Sequence, residues 1–143
     1  MDWTIEFDKA IEQYLPDLEV LQDEPMSRHT TFRIGGPAKR MAFPSSREQL
    51  VLLMSFAKDY GANPLVIGNG SNLLVPDEGL DRLVIDTSAN LNRVERGSGN
   101  TILADAGATL ARTADLACKS GLTGLEFAYG IPGTVGGAVY MNA

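Results

Sequence analysis

The chain has 143 residues, 44% hydrophobic and 21% charged, with a formal net charge of −6. That length allows one domain with a real core or two small lobes, and an acidic balance without any Lys/Arg run argues against nucleic acid or an anionic membrane surface as a partner. One Cys and one His exclude a disulfide framework or a Cys/His metal site within the chain.

The opening MDWTIEFDKA is acidic and amphipathic, which is not the pattern of a signal peptide. Phe7, Ala10, Ile11, Tyr14 and Leu15 fall at helical spacing before Pro16, so a helix is predicted over residues 3–15. TTFRI and KRMAF have strand composition, with Gly35, Gly36 and Pro37 as the turn between them. In PSSREQLVLLMSFAKDYG, either Ser46 with Gln49 or Ser45 with Glu48 makes a capping box. Leu50, Leu53, Met54 and Ala57 form one apolar face there, and Gly61 stands at a C-cap position. The run Leu50–Met54 is far too short to span a bilayer, and a cytoplasmic location is the expectation. PLVI reads as a buried strand that delivers the chain into GNGSN.

In the second half, RLVID and TILADA read as strands separated by a polar, hairpin-like stretch containing RGSGN. Thr109 can cap a helix through about Lys119, with Leu110, Ala114 and Ala117 on one face and Gly121 closing it. The chain stops at VYMNA, in what reads as a strand, so a domain cut short is expected. The predicted fold class is α+β: a helix and lead-in over 1–25, a first subdomain over 26–80 and an incomplete second one over 81–143.

Two glycine clusters carry the functional signal. VIGNGSNLLVPD fails as a dinucleotide fingerprint, because position 73 is Leu and a strand-like run follows rather than a helix. It fails as a P-loop too, since no Gly-Lys pair occurs. What survives is a turn rich in unobstructed N–H groups: either a plain strand-to-strand turn or a nest for a pyrophosphate. AYGIPGTVGGA interleaves glycine with apolar residues. That is backbone packed on a flat apolar object, or a tight strand-to-helix bend. Each cluster follows an α/β unit, which suggests two lobes holding one long ligand with an anionic centre and a flat ring.

HTTFRIGGPA (29–38), GNGSNLLV (68–75) and GLEFAYGIPGTVGGAVYMNA (124–143) resemble, in order and spacing, the UDP-N-acetylenolpyruvoylglucosamine reductase (MurB) family. The resemblance runs from about residue 26 to the end. It implies a vanillyl-alcohol-oxidase-like (PCMH-type) FAD-binding domain of two α+β subdomains, with the substrate-binding domain absent. It also implies that Gly68, Asn69, Gly70, Ser71, Asn72 and Leu73 hold the FAD pyrophosphate. Gly130, Ile131, Pro132, Gly133, Val135, Gly136 and Gly137 would line the flavin end.

Enzymes of that family reduce the enolpyruvyl ether of UDP-N-acetylglucosamine to UDP-N-acetylmuramate in peptidoglycan synthesis, with FAD as cofactor and NADPH as co-substrate. The partner implied is a UDP-sugar, and no metal is implied. The family's catalytic serine, arginine and glutamate would lie beyond this chain, so no residue here is assigned as catalytic. Ser71 belongs to the pyrophosphate turn, Ser98 to the polar hairpin, and Arg33 and Glu126 are neighbours of the cofactor. The alternatives are another oxidase or dehydrogenase of the same superfamily, or an inactive fragment that self-associates through its cut sheet edge. His29 reads as a loop histidine, Cys118 as a small buried residue and Trp3 as a core anchor.

Overall fold

The structure, a computed structural model, describes residues 2–143, and hydroxyl caps set three of its four α-helix starts. Helix α1 spans Thr4–Tyr14 and α2 spans Arg47–Asp59. Of the two capping boxes, Ser46–Gln49 forms: the Ser46 hydroxyl accepts the Gln49 N–H at 3.1 Å. The Gln49 side chain returns to the N–H of Ser45, at 2.8 Å, rather than to that of Ser46. Ser46→Ala is expected to cost about 1 kcal/mol, measurable as a lower urea midpoint at unchanged slope. The helix ends at Gly61 (φ +71), where the Ala62 N–H donates to the Ala57 carbonyl at 2.9 Å, a Schellman closure. Helix α3, Leu110–Lys119, repeats both devices with Thr109 and Gly121.

The strands are β1 (Glu19–Pro25), β2 (Pro37–Phe43), β3 (Leu65–Ile67) and β4 (Leu80–Asp86), in the spatial order β1-β2-β4-β3. β1 runs antiparallel to β2, while β4 runs parallel to both β2 and β3. Alternation divides the sheet residues between two cores. Ala42, Leu83 and Ile85 pack against Phe7, Ile11, Leu53 and Ala57 of the two helices. Met41, Phe43 and Val84 pack with Met26, Ile67 and Val75, so that face is covered by loop and by the short 3-10 helix Met26–Arg28 rather than by an α-helix. Arg40 is only 8% exposed and forks onto Asp8 of α1, Nε to Oδ1 at 2.9 Å and Nη2 to Oδ2 at 2.7 Å. That hydrogen bonding raises the guanidinium pKa above its ordinary value.

Strands β3 and β4 are neighbours and parallel, so no tight turn can join them; a long connection must return to the other end of the sheet. Residues 68–79 make that return without a helix. The remaining chain forms a hairpin of β5 (Val94–Arg96) and β6 (Ile102–Ala104) packed on α3, a 3-10 helix at Glu126–Gly130 that packs on α3 in turn, and a further helix α4 (Val135–Met141).

Several expectations are corrected. TTFRI is a loop, not a strand: Arg33 sits at φ +57, and the Thr31 N–H donates to the Gly70 carbonyl at 3.1 Å. The antiparallel partner of β2 is β1, in what read as a lead-in. Strand β4, placed with the second subdomain, lies inside the first sheet between β2 and β3. The partner of β6 is β5, within the stretch read as a polar connection. Residues Val139–Met141 are helical rather than a cut strand, because Thr134 caps the segment and Asn142 (φ 55) closes it. Their backbone groups belong to a helix, so this segment offers no sheet edge for self-association. Cys118 is exposed, since Ala114 and Ala117 take the inner face of α3. Trp3 is only partly buried, edge-on to Phe7 and donating to Asp81 at 3.0 Å.

Candidate functional site

The Gly68–Leu73 segment leaves the end of β3 from a fixed point. The Ile67 carbonyl accepts both the N–H and the hydroxyl of Thr87, each at 3.0 Å. Gly70 is buried at φ +71, a region that costs any other L-residue strain. A Cβ there would fall on the His29 carbonyl oxygen and lie 3.0 Å from the Thr30 Cα. Gly70 is therefore demanded by the protein's own 29–31 loop, whatever the loop binds. Among the described residues, none of the six N–H groups from Gly68 to Leu73 donates to a protein acceptor. Backbone donors without a protein partner turn to solvent or to a ligand.

The second glycine cluster lies directly against the first. A Cβ on Gly68 would fall on the Thr134 hydroxyl, and one on Gly133 (φ +127) would lie 3.1 Å from the Ser71 Oγ. Thr134 is 2% exposed and was not among the residues singled out from sequence, although a Thr before Val-Gly-Gly is a helix-start signal. The α4 amides are occupied: Val135 N–H donates to Ala108 and Gly136 N–H to Ala106, both at 2.8 Å. Gly137 N–H reaches the Thr134 hydroxyl at 3.3 Å. What Val135, Gly136 and Gly137 can lend a ligand is thus close-approaching surface rather than donors. Ile131 N–H is taken by Ala128, Gly130 has open space around it, and Pro132 is exposed.

A cavity of about 700 Å³ adjoins the first loop, lined by Ser27–Thr31, Arg33, Asn69, Asp86 and Ser88. It sits beyond the carboxyl ends of β3 and β4, where ligands of open parallel sheets bind. His29 Nε2 lies 3.0 Å from Glu24 Oε1, which also has Arg28 at 3.8 Å. The buried Asp86 carboxylate accepts Ser88 N–H and hydroxyl, both at 2.7 Å, and Ala89 N–H at 3.1 Å, closing the turn after β4. Sequence reading singled out neither Asp86 nor Ser88, which carry no motif of their own. Ser98 lies in the β5–β6 turn, accepting from Thr101. The Glu126 carboxylate is held below its ordinary pKa by its own N–H and by that of Gly124. Among the described residues no cluster of three His, Cys, Asp or Glu could hold a metal ion. Free N–H groups with Arg28 and Arg33 at the cavity suit an anionic linker of pyrophosphate size, and the adjoining glycines suit a flat ring.

A family model described as an FAD binding domain matches residues 38–143. The UDP-N-acetylenolpyruvoylglucosamine reductase of Caldicellulosiruptor bescii is 48% identical over 134 residues, which is 92% of this chain and 42% of that protein. The chain thus spans less than half the length of that relative. The solved reductase (MurB) from Thermus caldophilus superposes with a TM-score of 0.62 at 35% identity, covering 88% of this chain and 42% of that one. Cholesterol oxidase from Brevibacterium sterolicum shares the fold at 18% identity and a TM-score of 0.63, over 90% of this chain and 25% of that one.

Proposed function

Because the chain belongs to the FAD binding domain family, we propose that it forms the FAD-binding part of an NADPH-dependent UDP-N-acetylenolpyruvoylglucosamine reductase. Its α+β architecture is the vanillyl-alcohol-oxidase-like FAD-binding fold. The observation that carries the cofactor reading is the run of six N–H groups from Gly68 to Leu73 without protein acceptors, set against Gly133 and Thr134.

In this reading the amides of Gly68, Asn69, Gly70, Ser71, Asn72 and Leu73 hold the pyrophosphate, whose charge they meet without a desolvated counter-ion. Arg28 and Arg33, at the adjoining cavity, add positive charge to the same end. Gly130, Ile131, Pro132 and Gly133 line the flavin end. Val135, Gly136 and Gly137 let the start of α4 come close. When bound, FAD supplies hydride transfer between NADPH and the enolpyruvyl group. The UDP-sugar, its place in peptidoglycan synthesis and a cytoplasmic setting go with the reductases that the sequence resembles. No helix among the described residues is long and apolar enough to cross a membrane.

A chimera separates the two parts of this reading. Residues 2–143 replace the matching part of the Caldicellulosiruptor bescii reductase. The product is expected to purify yellow and to oxidise NADPH only when the enolpyruvyl UDP-sugar is present. A colourless, folded chimera would sink the cofactor assignment. A yellow one that oxidises NADPH whether or not that sugar is added would sink the reductase assignment and keep FAD.

A further inference from the structure

The close approach of the two glycine clusters has a mechanical side that motif matching does not contain. Thr134 is anchored from both directions. Its backbone bridges Thr109, the Gly133 carbonyl before it accepts Leu110 N–H at 3.1 Å, and Val135 N–H after it donates to Ala108 at 2.8 Å. Gly68 is anchored as firmly, since the carbonyl just before it holds both donors of Thr87. Between these two fixed points stands only the Thr134 side chain. A Cβ on Gly68 would fall on its hydroxyl and lie 2.9 Å from its Cγ2. Ser71 and Gly133 make a second close approach, at 3.1 Å for a Cβ on Gly133. The amides of Gly68 to Ser71 lie between the two contacts, and those of Asn72 and Leu73 just beyond the second.

We propose that Thr134 is a positioning residue: its side-chain volume, seated against Gly68, fixes the spacing between the 68–73 loop and the start of α4. It thereby aims the loop's N–H groups. The inference rests on the FAD reading of this site for its ligand, but not for its geometry. Volume at 68 and volume at 134 are complementary, so enlarging one can be offset by reducing the other. The hydroxyl's separate task is to cap α4 through Gly137.

The test is a cycle of Gly68→Ala, Thr134→Ala and the double variant, with Thr134→Val beside it. FAD affinity is read by quenching of flavin fluorescence, the bound-flavin absorption band is recorded, and apoprotein melting is followed by circular dichroism. Gly68→Ala is expected to weaken FAD by about tenfold or more, as forced overpacking does, and to alter the band. The double variant should regain most of that loss. Thr134→Val keeps the volume and deletes the cap, so it should melt lower yet bind FAD within about threefold of the parent.

A double variant that binds no better than Gly68→Ala, or a Thr134→Val that loses FAD as Gly68→Ala does, overturns the proposal. Should the parent bind no FAD, the cofactor reading fails by itself. The melting cycle then decides the spacing: a double variant more stable than Gly68→Ala upholds it, and one less stable overturns it.

Discussion

Gly70→Ala is expected to lower stability by about 2–5 kcal/mol and to abolish FAD uptake, whereas Gly121→Ala costs about 1–2 kcal/mol and leaves uptake alone. Both glycines sit at φ +71, so the strain of placing an L-residue there is common to the two. They differ in what a Cβ would meet: nothing within 4 Å at Gly121, and the His29 carbonyl with the Thr30 Cα at Gly70. Neither obstacle is the tip of a flexible side chain. The loop must therefore move, carrying the free amides with it. Thermal melts of the two variants, with flavin content of the purified proteins, give the comparison. Equal losses would mean that the 29–31 backbone yields and that the close approach has no energetic weight.

The second large effect is expected far from the glycines. Asp8→Ala leaves the Arg40 guanidinium buried between strands with one carbonyl, that of Lys39 at 2.7 Å, as its remaining partner. An uncompensated buried charge is strongly destabilising, and because the Asp8 side chain is 33% exposed the loss is placed at about 2–4 kcal/mol. The pairing of Asp8 with Arg40 also ties α1 to β2, beside the packing of Phe7 and Ile11 against Ala42. Asp8→Ala combined with Arg40→Met should recover most of the loss, since no charge is then stranded. Urea unfolding of the single and double variants measures both. A single variant within about 0.5 kcal/mol of the parent would show that the guanidinium finds water without Asp8.

Features written in consecutive residues were legible in the sequence. Ser46 with Gln49, Thr109, Gly61 and Gly121 act within one turn of chain, and the structure uses each of them. Features that depend on distant partners were not. TTFRI has the composition of a strand, but its backbone answers to Gly70 and not to KRMAF. VYMNA contains β-prone Val and Tyr after two glycines. There the Thr134 cap and the carbonyls of Ala106 and Ala108 outweigh local preference. β1 was hidden because EVLQDEP is an acidic edge strand with no clean alternation of burial. The glycine loops were visible as anomalies, and the residues that face them, Thr134 and the 29–31 loop, were not.

The supports of the 68–73 loop lie on both sides of it in sequence: the 29–31 segment before, then Thr87, and last Thr134 far beyond. During synthesis the sheet and its two covering helices can assemble once β4 has emerged. The loop at its end cannot take its final shape until the ribosome has released Thr134. A nascent chain paused between those points would hold the sheet residues without the seat that Thr134 gives the 68–73 loop. Contacts closed across such distances carry the larger loop-closure entropy, so in the proposed reading cofactor capture would follow assembly of this scaffold instead of guiding it.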